Sequence, residues 1–283
     1  MRADRVVVVL WAGGVRASET ITDPHHRYVP RIWGELAPRG CLFTRLYNDG
    51  WTNHGPSLQP LATGCWEVAE YDDPRPARGR TLVEAARRHG RSTLVIGPPE
   101  ERKLLLTGGD PSDVVEVGLL ADPAPFAPGE PAATIYKLRS FDRAIVAAFL
   151  AREIPWPDLS FLVFDDTDIA HQGRWPWYTS AIRQADELVW RLWQRLERDG
   201  RTDLLVLPVH GRADHGQTRW GFSGHGREDE GCTRLWMLAL GPDLASGRIV
   251  EKRARLIDVA PTIARILNLH FSCRGRVLEE VFA

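Results

Sequence analysis

The chain is poor in cysteine. It has four in 283 residues, at positions 41, 65, 232 and 273, and no Cys-x-x-Cys pair. Such spacing excludes a zinc knuckle and indicates no disulfide framework, so the four read as reduced core thiols. An excess of charge of either sign is also missing. Lys and Arg total 36 against 37 Asp and Glu, a net charge of -1, which argues against a nucleic-acid partner held by bulk charge. No apolar run approaches the roughly 20 residues that span a bilayer, so no membrane partner is expected. The apolar run at 6–11 is short for a signal peptide. It reads as a first buried strand, and the protein is expected to be cytoplasmic. Disorder is excluded by a hydrophobic share of 43%. A chain of this length can bury a sizeable core without covalent staples.

Short apolar, β-branched runs stand at 6–10, 92–96, 159–164, 204–207 and 235–240. Runs that are apolar on both faces suit a parallel sheet covered on both sides. Helical periodicity lies between them, at 81–89, 140–152, 178–198 and 258–267. The alternation predicts an α/β fold, a doubly wound, mostly parallel sheet with helices on both faces, in one domain over 1–283. Two stretches, 72–80 and 122–131, are rich in proline and read as loops.

Chemistry in open α/β sheets collects at the carboxyl ends of strands. The segments to inspect are therefore 11–16, 165–171 and 208–216, with 221–226 after them and 51–57 ahead of a helix. They hold His54, His171, His210, His215 and His225, and the acids Asp165, Asp166 and Asp168. A His/Asp cluster at strand ends suits a divalent metal with nitrogen and oxygen ligands. Thr52 and Ser57 flank an Asn-His-Gly-Pro turn, and Ser57 is expected to cap the helix that follows. Arg16, Arg174, Arg212 and Arg227 lie near these segments and could fork onto an anionic ester. Trp175, Trp177 and Tyr178 read as packing at a helix start.

Taken in order, the segments have a family likeness. They are Gly14-Val15-Arg16, Pro56-Ser57, 61–64, Asp168 with His171, His210-Gly211-Arg212, His225-Gly226, Gly241-Pro242 and 257–263. This set resembles the alkaline phosphatase superfamily, which includes sulfatases, nucleotide pyrophosphatases and cofactor-independent phosphoglycerate mutases. The resemblance implies a divalent metal, zinc above all, held by Asp168, His171 and His225 with His210 beside them. Asp165 or Asp166 could substitute for Asp168. It places the nucleophile position on His54, with Thr52 as the alternative, and assigns Arg16, Asn53 and Arg212 to a small anionic ester. Members with two metals carry an Asp after the first strand, where this chain has Ala12 and Gly13, and an Asp-His pair where it has Val209-His210. Those losses imply one ion rather than two, unless Asp214-His215 restores a ligand pair. Two functions are then expected to compete. One is a metal-dependent hydrolase of phosphate or sulfate esters with a degenerate second site. The other is an inactive relative that binds an anionic ligand or a protein partner.

Overall fold

A computed structural model describes residues 3–66, 75–99, 101–118, 120–121, 139–213, 223–225 and 229–283. The proline-rich stretch 122–131, residues 72–74, Asp214, His215, Gly226 and Arg227 lie outside the described residues. The remainder of the other expected loop, 75–80, has neither helix nor strand.

Strand β1 (Arg5–Trp11) shows why the fold has layers. All seven positions are buried. Val6, Val8 and Leu10 enter one apolar cluster, and Val7, Val9 and Trp11 enter another on the opposite face. A strand apolar on both faces needs cover on both. The sheet is completed by β2 (Cys41–Tyr47), β3 (Thr93–Gly97), β4 (Val114–Glu116), β5 (Leu159–Phe164), β6 (Thr202–Pro208), β7 (Arg234–Leu240), β8 (Arg248–Val250) and β9 (Ala254–Arg255). Its order is β8-β2-β7-β6-β1-β5-β3-β4, with β9 also paired to β2, nine strands in all.

The helices are α1 (His54–Thr63), α2 (Leu82–Arg88), α3 (Phe141–Leu150), α4 (Asp166–His171), α5 (Trp175–Asp199), α6 (Glu230–Thr233) and α7 (Val259–Ile266). Buried residues of α1, α2 and α7 join the first cluster, and those of α3 and α5 join the second. The mostly parallel, doubly wound α/β architecture expected from the sequence is therefore present. One detail differs: β7 runs antiparallel to both of its neighbours, β6 and β2. A parallel return needs a crossover of a dozen or more residues, usually helical, to the other end of the sheet. Here the chain leaving β6 passes through the site segments and re-enters the sheet from the same end.

No helix among the described residues is long and apolar enough to cross a membrane. One buried acid has no visible reward. Asp203, on β6 opposite Val6, is fully buried, and neither of its carboxyl oxygens has a hydrogen-bond partner among the described residues. Burial, and then the Asp243 charge, pushes its carboxyl up to about 8. The folded chain thus holds a proton that the unfolded chain releases near pH 4, and stability falls as pH rises from about 4 to 8. Asp203→Asn is expected to stabilise the fold by about 2 kcal/mol at pH 7, less than the full linkage value because the amide also lacks partners. The gain should shrink towards pH 4. Thermal melts of both proteins at pH 4.5 and pH 7 check this, and an equal shift at both would refute the assigned cause.

Candidate metal centre

The site follows from register. Trp11, the last residue of β1, pairs with Phe164 of β5 on one side and with Pro208 of β6 on the other. Three strands therefore end level, and the residues after them emerge side by side. Backbone bonds continue the alignment past the strands, from Ala12 N–H to Phe164 O at 2.7 Å and from Val209 N–H to Trp11 O at 3.0 Å. Beyond those ends stand Gly13-Gly14, Asp165 to His171, and His210.

Helix α1 brings the fourth component. Asn48, fully buried just after β2, donates to Ser57 Oγ at 2.9 Å and to Val209 O at 3.0 Å, tying α1 to the end of β6. The expected cap is corrected here. Ser57 lies inside α1, and Asn53 is the residue at its N-cap, where its side-chain oxygen accepts from the His54 N–H at 2.8 Å. The first residue of the helix is therefore His54, whose fully buried ring is brought to two carboxylates. Its Nδ1 lies 3.9 Å from Asp165 Oδ1 and 4.0 Å from Asp168 Oδ2. Among the described residues, His54, Asp165 and Asp168 form the group of donors compact enough for one ion, with ligand atoms within 4.8 Å of one another.

Asp168 works in two directions. While Oδ2 faces His54, Oδ1 accepts from His171 Nε2 at 3.3 Å and lies 3.7 Å from His210 Nε2. Burial alone would raise this carboxyl. The His171 hydrogen bond and the facing His54, His210 and His171 rings outweigh it and hold Asp168 well below the usual carboxylate range. His210 donates through Nδ1 to Gly211 O at 2.8 Å. Burial, opposed by Asp168 and assisted by His225, pushes its ionisation down to about 3. The ring is therefore neutral, with its Nε2 lone pair towards a carboxylate. Among the described residues, His210 Nε2 and His171 Nδ1 are buried with no hydrogen-bond partner. A lone pair and an anion facing each other across 3.7 Å repel unless a cation lies between them. Two donors on one tetrahedral zinc ion are about 3.4 Å apart. The donor set and its spacings thus fit a divalent metal with nitrogen and oxygen ligands.

The other residues singled out from sequence are placed as follows. His225 lies with ring centroids 4.8 Å from His210 and 5.9 Å from His171, and it hydrogen-bonds the backbone of Thr52. Its ionisation is also lowered, by burial first and then by His171. Thr52 is fully buried, and its Oγ1 has no partner among the described residues. Asp166 turns away from this centre and is held by Ser140 Oγ, Gln184 Nε2 and the Phe141 N–H. Arg212 is buried and ion-paired with Glu19, with its guanidinium over the Tyr178 ring at 4.8 Å. Arg16 lines an open cleft of about 570 Å³ together with Asp229, Glu230 and Arg234.

Two contributors escaped sequence reasoning. Asp142, fully buried on α3, accepts the N–H groups of Asp165 and Asp166 at 2.8 and 3.2 Å and so sets the turn that aims Asp165. Its only sequence signal was an acid two residues after the helix cap Ser140. Arg102, exposed on the turn after β3, bears on His225 by its charge. Nothing in its spacing linked it to the histidines.

No protein-family model matches the sequence, and no curated protein matches it. Solved structures do. A phosphonate monoester hydrolase of Agrobacterium radiobacter superposes with a TM-score of 0.70 at 17% identity, covering 98% of this chain and 77% of that one. A 2-O GAG sulfatase gives a TM-score of 0.67 at 13% identity, with 98% and 73% covered. A protein in the alkaline phosphatase superfamily from Vibrio parahaemolyticus gives 0.63 at 16% identity, with 99% and 71% covered. The fold is a doubly wound, mostly parallel α/β sheet, and the candidate centre lies at the carboxyl ends of its strands. More narrowly, it is the fold of the alkaline phosphatase-like superfamily, as the ordered segments implied.

Proposed function

We propose that the chain hydrolyses a small phosphate, phosphonate or sulfate ester with one divalent ion, zinc being the ion its donors favour. The observation that carries this reading is the group of buried His54 and Asp165 with half-buried Asp168, and with His171 and His210 on the far oxygen of Asp168. When bound, the ion would lower the pKa of its water and polarise the ester oxygen. The chain's own residues supply the rest. Asp142 and Asn53 fix the entry angles of Asp165 and His54. Neutral His210 presents an unprotonated Nε2 on the side of Asp168. Exposed Arg102 is placed to meet an anion. Three neighbours in fold, named for phosphonate or sulfate ester chemistry or for this superfamily, agree with the reading.

A second reading has its own support. The His210 ring fills the space above Gly13, and Arg212 is committed to Glu19, which suits an inactive relative that only binds an anion or a protein. Elemental analysis of the purified protein, paired with assays on aryl phosphate, aryl phosphonate and aryl sulfate esters, separates the two. About one ion per chain and turnover of at least one ester, both lost in His54→Ala, are expected. Absence of metal would sink the hydrolase, and metal without turnover would leave the binding reading standing.

A further inference from the structure

We propose that Cys65 and Cys273 form a reversible disulfide that fastens the end of α1 to the C-terminal segment. Of the free cysteines, Cys41 and Cys232 are buried, whereas Cys65 and Cys273 are half-buried. Helix α1 ends at Gly64, whose φ of 64° is left-handed. A Cβ on Gly64 would lie 2.6 Å from Cys273 Sγ and 2.7 Å from Cys273 Cβ. The Cys273 side chain thus occupies the space that a side chain at 64 would need, one residue from Cys65. The neighbouring backbone is locked as well. Arg274 and Gly275 both donate to Gly64 O, at 3.2 and 3.0 Å. The Thr63 hydroxyl accepts from the Cys65 N–H and donates to the Cys65 carbonyl, each at 3.2 Å. Consecutive Cα atoms are about 3.8 Å apart, so Cys65 is one such step from the residue that Cys273 packs against, and a disulfide would require their Cα atoms to stand about 4.4–6.8 Å apart. Burial, with Cys65 adding to it, raises the Cys273 thiol above its ordinary value.

The oxidant is a low-molecular-weight disulfide such as oxidised glutathione. The Cys65 thiolate attacks one of its sulfurs and releases one small thiol. The Cys273 thiolate then attacks the Cys65 sulfur of the mixed disulfide and releases the second. Two protein thiols are oxidised to one disulfide, the small disulfide is reduced to two thiols, and excess small thiol reverses the sequence. Closing so long a loop restricts the unfolded chain.

The test is a thiol count and a non-reducing peptide map of the full chain, before and after incubation with oxidised glutathione. Two of the four thiols should disappear, one peptide should join Cys65 to Cys273, and the melting temperature should rise by about 5 °C or more. Cys65→Ser and Cys273→Ser should each lose the cross-link and the rise. Four surviving thiols, a link through Cys41 or Cys232, or separate glutathione adducts on Cys65 and Cys273 would overturn the proposal.

Discussion

Asp168→Asn is expected to weaken metal binding by at least about 100-fold and to lower the stability of the metal-free fold at pH 7, because the folded state favours the ionised carboxyl. The expectation rests on the two faces of this side chain. Oδ2 lies 4.0 Å from His54 Nδ1, and Oδ1 lies 3.3 Å from His171 Nε2 and 3.7 Å from His210 Nε2. An asparagine keeps the shape and retains one carbonyl oxygen to accept from His171. It loses the charge that offsets a divalent ion, and loss of a supporting hydrogen bond alone typically costs about 10–100-fold in affinity. Asp166→Asn is the matching control. That carboxylate accepts from Ser140, Gln184 and Phe141 and faces away, so metal binding should survive its change. Zinc titration by calorimetry, alongside melts of the metal-free proteins, measures both. Equal losses in the two variants would mean that the acids act through general charge, and full binding by Asp168→Asn would move the ion elsewhere.

The fold was legible because its strands are apolar on both faces. β1, β3, β5, β6 and β7 were each visible as a short run, and α5 as a long 3.6-residue period. β2 was not, because Cys41–Tyr47 is interrupted by Thr44 and the exposed Arg45. With β2 went Asn48, which sits at its end and anchors α1. Histidines at strand ends were legible as a group. The division of labour among them was not, since it depends on which rings meet Asp168 and from which side. From sequence, the ion was assigned to Asp168, His171, His210 and His225 and chemistry to His54. In three dimensions the compact donor set is His54, Asp165 and Asp168, and the other three rings pack together with centroids 4.8–6.5 Å apart. One-dimensional spacing cannot report that α1 delivers its first residue to the end of β5.

Gly13→Ala is expected to destabilise the protein by about 2–4 kcal/mol, a fall of about 5–10 °C in melting temperature, and to displace His210. A Cβ on Gly13 would stand 2.0 Å from His210 Nε2, 2.3 Å from Cε1 and 2.7 Å from Cδ2. The ring cannot slide away, because it is fully buried and its Nδ1 is bound to Gly211 O. Moving it costs the overpacking of a tight core, about 1–3 kcal/mol, and a buried hydrogen bond worth about 1 kcal/mol. The same geometry bears on the missing acid after β1. The space that a side chain at 13 would enter is filled by an imidazole, so Gly13→Asp alone should destabilise the fold rather than restore a carboxylate ligand. Removing the ring with His210→Gly should make room. In a double-mutant cycle, Gly13→Asp and His210→Gly should therefore be non-additive, the pair being more stable than the sum of the two changes by about 1–2 kcal/mol. Denaturant unfolding of the four proteins measures this coupling. Strict additivity would show that His210 does not occupy the place of a side chain at position 13, and that the missing carboxylate is a loss with no structural replacement.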